Sequence, residues 1–320
     1  MKIIFLGSGQ FATPVLEGLV EKGHCVLQVV TQPSRPAGRG HKTVKTPVAQ
    51  TAEKLNLPIL ETPDVNAPDV AETLLALAPR VVVVVAFGQI LRTPMIELAP
   101  LGAVNLHASL LPAYRGAAPI HWAIINAETE TGLTTFRIAS KVDAGEILLQ
   151  QTVKIGPLET AGELHDQLAR RGPELVARTL AGLEAGTLHP RPQPARPNGS
   201  TWPRAPKLTR ADGRIDWNSP AKTIANRIRG LWPWPAVRCR YQPDPPRKDA
   251  AAQEVQLVRA EPVNDSPEGI EPGRFTPTLT VAARSGCVRI IEIRPASGRK
   301  MPFTDFARGR RIQPGDRLVL

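Results

Sequence analysis

The chain has 320 residues, with 40 Lys and Arg against 29 Asp and Glu, a formal net charge of +11. That length exceeds one ordinary domain, so two are expected, and the three scattered cysteines (Cys25, Cys239, Cys287) argue for reduced thiols and against a disulfide scaffold or a zinc site. No apolar run approaches the ~18–20 residues of a membrane span and residues 3–6 are too short for a signal core, so a cytoplasmic protein without a membrane partner is expected.

In chain order, residues 1–6 (MKIIFL) read as a buried strand, GSGQFA as a turn, and the stretch to Lys22 as a helix. Residues 25–31 are a second strand. Residues 32–46, with two prolines and two glycines, are expected to hold no regular structure. A helix near 47–55, a short strand at 58–60 and a helix over 69–78 follow. Residues 80–88 (RVVVVVAFG) are a continuous β-branched run, as in a central parallel strand covered on both faces. Residues 103–107 (AVNLH) are the next strand; strands near 131–138 and 146–154 flank Val142–Gly145, and a helix spans about 160–186. The alternation predicts an open, mostly parallel α/β sheet whose ligands bind beyond the carboxyl ends of its strands. Residues 189–206 contain six prolines and read as a semi-rigid linker. Beyond it, a helix over 219–231 and short strands at 254–260, 278–284, 287–293 and 316–320 suggest a small β-barrel.

Gly7-Ser8-Gly9-Gln10-Phe11-Ala12 fits the dinucleotide fingerprint between a strand and a helix. The second strand, however, ends Val30-Thr31-Gln32, without the acidic residue that NAD binding requires. Arg35 could serve a 2′-phosphate in an NADP reading; the competing reading is a tight strand-to-helix turn, with Gly9 serving the close approach of the two elements.

Asn105 and His107 are alternate residues of one strand, ~6.6 Å apart along its axis and pointing the same way. An amide donor beside an imidazole suits carbonyl chemistry: the amide donates to a developing oxyanion and the imidazole moves a proton. A third group should orient the histidine, and Asp143, on a glycine-containing loop, is the candidate. No His, Cys or Asp spacing resembles a metal site, so no metal is expected.

NLHASLLPAYRGAAPIHWAI, residues 105–124, resembles the signature of the 10-formyltetrahydrofolate-dependent formyltransferases. The family pattern falls on Asn105, His107, Ser109–Pro112, Arg115–Gly116, and Asp143 with Gly145. Residues 31–59 resemble a basic loop, and 207–236 the start of a second domain, of those members whose acceptor is methionyl-initiator-tRNA. The resemblance covers essentially the whole chain. It implies a Rossmann-like formyltransferase fold over 1–188, the linker 189–206, and a C-terminal, OB-like, tRNA-binding β-barrel over 207–320, acting as a monomer. It implies attack of the methionyl α-amine on the formyl carbon of 10-formyltetrahydrofolate, with the oxyanion held by Asn105 and His107 and His107 oriented by Asp143. The folate would be lined by Ser109, Leu110, Leu111 and Pro112, with Phe87 and Gly88 near the pterin. Two departures stand out: Ala139 replaces the family's acidic residue and Lys141 its glycine, and residues 242–251 look like a polar insertion.

The charge is uneven. Residues 1–206 carry 19 basic and 17 acidic residues, net +2, whereas 207–320 carry 21 and 12, net +9. A basic half points to an anionic partner. Arg35, Arg39, Lys42 and Lys45 are expected to engage the tRNA acceptor end, and Arg227 and Arg229, on one predicted helix, the phosphate backbone. Rival readings are a glycinamide-ribonucleotide or amino-sugar formyltransferase, an NADP-dependent oxidoreductase supported by GSGQFA and Arg35, and a non-enzymatic RNA-binding module that leaves Asn105, His107 and Asp143 without a purpose.

Overall fold

Val81–Val85 is the middle of a sheet, and all five valines are buried. β-branched side chains covered on both faces account for the unbroken run. The structure, a computed structural model, describes residues 1–37, 42–196, 199–248, 251–265 and 268–319. In chain order its elements are β1 (Lys2–Gly7), α1 (Thr13–Glu21), β2 (Cys25–Thr31), β3 (Arg35–Ala37), β4 (Lys42–Val44), α2 (Pro47–Lys54), β5 (Ile59–Glu61), α3 (Pro68–Ala76), β6 (Val81–Val85), α4 (Thr93–Ile96), β7 (Ala103–His107), β8 (Arg115–Gly116), α5 (Pro119–Ile125), β9 (Glu130–Arg137), β10 (Ile147–Lys154) and α6 (Ala161–Glu184). Then come β11 (Arg204–Ala205), α7 (Ala221–Leu231), β12 (Val237–Gln242), β13 (Gln253–Val263), β14 (Val281–Ala282), β15 (Cys287–Pro295), β16 (Met301–Pro302), α8 (Phe303–Arg310) and β17 (Arg317–Val319). They pack as two compact units: Met1–Gly116, Thr131–Val153 and His165–Arg204 form one; Ala117–Glu130, Lys154–Leu164 and Ala205–Leu320 form the other.

The first unit is built on a seven-stranded sheet of order β10-β9-β7-β6-β1-β2-β5. β7, β6, β1, β2 and β5 are parallel, and β9 runs antiparallel to β7. The chain winds outward from β1 to β5 and returns to β6 on its other side. The C-terminal ends of β1, β6 and β7 therefore meet at one edge, where an open α/β sheet binds its ligands. In register, Gly7 faces Val85 and Val84 faces Asn105.

Local chemistry sets the helix ends. Thr46 caps α2, its hydroxyl accepting from the Ala49 amide at 3.1 Å, with Pro47 at the first helical position. Gly18 of α1 faces Pro173 of α6, and a Cβ on Gly18 would lie 2.5 Å from the Pro173 Cβ. The missing side chain at Gly18 lets Pro173, a proline inside α6, pack closely against α1.

The segment 32–46 does contain regular structure, contrary to expectation. β3 and β4 form a short antiparallel hairpin, pairing Arg35 with Val44 and Pro36 with Thr43. A two-stranded ribbon leaves one side of each strand unpaired, so Pro36 can sit in it without losing a ladder bond.

In the second unit, an antiparallel sheet of order β14-β15-β13-β12-β17, with β16 on β15, curls into a nearly closed barrel. Isolated bridges from Arg274 to Arg317 and from Phe275 to Val281 link its two edges. Its core includes Trp217, Ile224, Ile228, Leu231, Tyr241, Phe275, Ile293 and Phe303. Asp316 is fully buried and accepts from the Tyr241 hydroxyl (2.8 Å), the Arg247 guanidinium (2.6 and 2.8 Å) and the amides of Asp244 and Gln313 (both 3.0 Å). Arg247 belongs to the polar stretch 242–251, which thereby neutralises a charge in the core. The elements β12, α5 and α8 had no counterpart in the sequence reading, and the strand expected over 278–284 shrinks to Val281–Ala282.

Candidate active site

His107 is the last residue of β7 and is 7% exposed. Its Nε2 lies 2.9 Å from the carbonyl oxygen of Tyr114. A carbonyl only accepts, so Nε2 carries the ring proton and Nδ1 is left with its lone pair. Tyr114 lies in the left-handed region (φ 61°) and buries its side chain. Its amide donates to the Pro203 carbonyl at 2.6 Å. The Phe136 ring meets the imidazole edge-on at a centroid distance of 6.4 Å.

Nδ1 of His107 faces Oδ2 of Asp143 at 3.9 Å. That is long for a hydrogen bond and suits an ion pair once the ring gains a proton. The ring's hydrogen bond is thus made to the Tyr114 carbonyl, and the Asp143 carboxylate lies beside its other nitrogen. Oδ2 of Asp143 also accepts from the Gly116 amide at 2.8 Å.

Asn105 is half-buried two residues earlier on β7, and its side chain has no hydrogen-bond partner among the described residues. A free amide donor beside a tautomer-locked imidazole is what an oxyanion site requires.

The turn after β7 is held from beneath by Thr134 of β9, which is fully buried. Its hydroxyl donates to the Ser109 carbonyl (2.7 Å) and accepts from the Leu111 amide (3.1 Å) and from Gln150 Nε2 (3.0 Å). Ser109 directs its own hydroxyl to the Ala113 carbonyl at 2.7 Å. Ser109, Leu111 and Pro112 are buried, so among the four residues expected to line the folate Leu110 alone keeps appreciable exposure. The Leu111–Pro112 peptide is cis.

Phe87 and Gly88 leave β6 at the same edge. The Phe87 ring is buried in the core beside α3 and α4 rather than facing the site. Ala86 and Gly88 on either side of it are exposed, at φ 45° and φ 83°. Gln32 Nε2 donates to the Phe87 carbonyl at 2.9 Å, and a Cβ on Gly88 would lie 2.5 Å from that nitrogen.

The fingerprint residues belong to this neighbourhood but not to a dinucleotide site. The amides of Ser8 and Gly9 both donate to the Ala86 carbonyl, at 3.2 and 3.1 Å. The Ser8 hydroxyl accepts from the Gln32 amide (3.0 Å) and from Thr31 (3.1 Å). The amides that would cradle a pyrophosphate are engaged.

The basic residues divide by surroundings. Arg35 donates to Gln32 Oε1 at 3.0 Å, and Lys45 pairs with Glu53, which raises the lysine's pKa. Arg39 lies outside the described residues, and Lys42 is described only through its backbone in β4. Arg227 donates to the Asp212 carbonyl at 2.8 Å. Arg229 does not face solvent as expected: it is 7% exposed and donates to Asn226 Oδ1 (2.5 Å) and the Glu159 carbonyl (3.1 Å). Burial pushes its pKa down, with nearby Arg259 adding to the effect. Two residues apart on a helix, Arg227 and Arg229 cannot share a face. By contrast Arg210, Arg214 and Arg238, all exposed, line one hollow of about 470 Å³ with Gly213 and Ala236, and their guanidiniums have no partner among the described residues.

Sequence reasoning missed Thr134, Gln150 and the Tyr114 carbonyl. Each acts through backbone contacts or from a segment with no motif of its own. Among the described residues no group of three or more His, Cys, Asp and Glu side chains could hold a metal ion. No described helix is long and apolar enough to cross a membrane.

Two family profiles match the chain: formyl transferase over residues 1–180, and formyl transferase, C-terminal domain, over residues 207–311. The chain is 42% identical over 320 residues to a methionyl-tRNA formyltransferase of Solibacter usitatus (strain Ellin6076), covering 99% of this chain and 98% of the relative. It is 40% identical over 336 residues to one of Heliobacterium modesticaldum (strain ATCC 51547 / Ice1), covering 99% and 100%. HypX from Aquifex aeolicus, solved in complex with tetrahydrofolic acid, has the same fold over 96% of this chain and 47% of its own, with a TM-score of 0.60 at 18% identity.

Proposed function

The chain belongs to the formyl transferase family, and on that premise we propose that it transfers the formyl group of 10-formyltetrahydrofolate to the α-amino group of methionyl-initiator-tRNA. The observation that carries the proposal is the grouping of Asn105, His107 and Asp143 at one sheet edge, in a chain related over 99% of its length to methionyl-tRNA formyltransferases.

The α-amine attacks the formyl carbon, forming the new C–N bond. The formyl oxygen becomes an oxyanion, which the unpartnered Asn105 amide stabilises by donation. The amine's proton passes to Nδ1 of His107, the free basic atom of a ring whose Nε2 proton is engaged by Tyr114. The imidazolium is then stabilised by the Asp143 carboxylate 3.9 Å away. The same proton returns to the departing folate nitrogen as its C–N bond breaks, so the ring ends as it began. Leu110 and the exposed residues Ala86 and Gly88 offer the folate surface. Arg35, Arg39, Lys42 and Lys45 approach the acceptor end, and the basic second unit holds the tRNA backbone. The enzyme acts as a cytoplasmic monomer in translation initiation.

Formyl transfer from 10-formyltetrahydrofolate to methionyl-initiator-tRNA, compared with methionyl-elongator-tRNA, glycinamide ribonucleotide and an amino-sugar nucleotide, tests this. The initiator should be formylated with a kcat/KM well above the others. Faster formylation of either small amine would overturn the assignment of substrate.

A further inference from the structure

We propose that Gln193, in the proline-rich stretch 189–206, is a positioning residue that holds the Asp143 loop in its working conformation. The inference rests on the assignment of Asp143 to catalysis above.

The loop needs holding. Asp143 adopts φ 50°, a left-handed conformation uncommon for residues other than glycine, though aspartate enters it more readily than most. Gly145 has no room for a side chain, since a Cβ there would lie 1.7 Å from the Arg137 carbonyl oxygen. Such backbone persists only where its surroundings over-determine it. Gln193 supplies that constraint. Its Nε2 donates to the carbonyls of both Asp143 and Gly145, each at 2.8 Å. Its Oε1 accepts from Nε and Nη2 of Arg115, at 3.0 and 2.6 Å. The amide thus uses both its donors and both its acceptor sites, and its orientation is fixed by chemistry: guanidinium nitrogens only donate and carbonyls only accept. Arg115 immediately precedes Gly116, whose amide binds the Asp143 carboxylate, so one side chain ties both supports of Asp143 together.

The stretch that carries Gln193 is built to deliver it. Arg191 exchanges two backbone hydrogen bonds with Ile147, at 2.8 and 2.9 Å, pinning the chain two residues upstream. Pro192 and Pro194 flank Gln193, and each restricts its own φ and disfavours the helical region for the residue before it. A stiff, extended segment anchored at Arg191 presents the amide without ordering a flexible chain. The stretch is therefore part of the site's scaffold as well as a connection.

The test is Gln193→Glu and Gln193→Ala in the full-length enzyme, alone and combined with Asp143→Ala. Glutamate matches glutamine in shape and can still accept from Arg115, but it cannot donate to the two carbonyls. Both variants should lower kcat at saturating substrates by about 10–100-fold, as misplacement of a reacting group does, with the KM for 10-formyltetrahydrofolate and the Tm nearly unchanged. In the Asp143→Ala background Gln193→Glu should produce no further loss. An unchanged kcat in Gln193→Glu overturns the inference. So does a loss that multiplies with that of Asp143→Ala, or one that lies in KM or Tm rather than kcat. If Asp143→Ala alone turns over like the wild type, the assignment of Asp143 fails instead, and the two failures are told apart by that single variant.

Discussion

His107 ends a strand with its Nε2 proton committed to a backbone carbonyl, which makes Nδ1 the basic atom of the site. A mutation cannot remove that partner as it could a side chain, because Tyr114 contributes its carbonyl. Asn105, by contrast, acts only through its side chain. Asn105→Ala should lower kcat by about 10²–10³-fold, the usual effect of removing one oxyanion donor, with little change in the KM for the folate. Asn105→Asp should be no better, because a carboxylate has no proton to donate and repels the oxyanion. Steady-state kinetics at saturating tRNA checks both; recovery of turnover in Asn105→Asp would show that the amide donates nothing. These two residues were legible in the sequence because their alternation on a strand end is local. The hydrogen-bond partner of His107 was not, because Tyr114 acts through an atom that every residue has.

At the scale of elements, GSGQFA shows how one pattern serves two ends. The strand–turn–helix geometry that cradles pyrophosphate in a dinucleotide fold is here closed onto β6. The Ser8 and Gly9 amides bind the Ala86 carbonyl, and a Cβ on Gly7 would lie 2.8 Å from the Phe5 ring and 3.0 Å from the Val85 carbonyl. The glycine permits a close approach of β1, β6 and the turn. NAD and NADP should therefore produce no rise in Tm at millimolar concentration, whereas a 10-formyltetrahydrofolate analogue should raise it by mass action. A thermal-shift titration decides it, and micromolar stabilisation by NADP would revive the oxidoreductase reading. The run of β6 is uniformly β-branched and buried, and β12 alternates buried with exposed residues. β6 declares itself by its unbroken β-branched run, whereas β12 (VRCRYQ), with Arg238 and Arg240 between apolar residues, went unassigned.

For the whole molecule, charge has two separate uses. In the second unit, burial alone would raise the Asp316 carboxyl, but Arg247, the Gln313 and Asp244 amides and the Tyr241 hydroxyl together hold it at about 2, against an ordinary 3.8. Glu163, opposed by burial but bonded to Arg259 and Thr160, is likewise held at about 2 against 4.5. Because the folded values lie below the unfolded ones, this stability is present above about pH 4.5 and is lost as pH falls toward 2. Asp316→Asn should lower Tm at neutral pH and flatten its fall across that window; Tm measured against pH for both proteins checks it. The second use is binding. On the proposed function, replacing Arg210, Arg214 or Arg238 by Ala should weaken tRNA binding and lessen its salt slope by about 0.9 for each phosphate no longer neutralised. Arg229→Ala should instead lower Tm, by unpairing Asn226 and the Glu159 carbonyl, and leave the slope alone. Binding isotherms at several salt concentrations separate the two. An unchanged slope in all three surface variants would move the phosphate-binding surface elsewhere.

The sequence by itself determined the parallel sheet, the barrel beyond the prolines, the family, and the placing of Asn105 and His107, because these follow from hydrophobic period, strand-end position and contiguous motif. Only the tertiary structure decided which groups act on them. Whether Arg229 is a surface cation or a buried strut depends on its helix's orientation. Whether the Ser8 and Gly9 amides are free depends on a carbonyl 77 or more residues away in the chain, that of Ala86. And Gln193 reaches Asp143 across 50 residues of sequence, from a stretch whose prolines read only as a linker. Periodicity and motif are local properties; the pairing of buried polar groups is satisfied across the fold, by whichever atom the packing brings within reach.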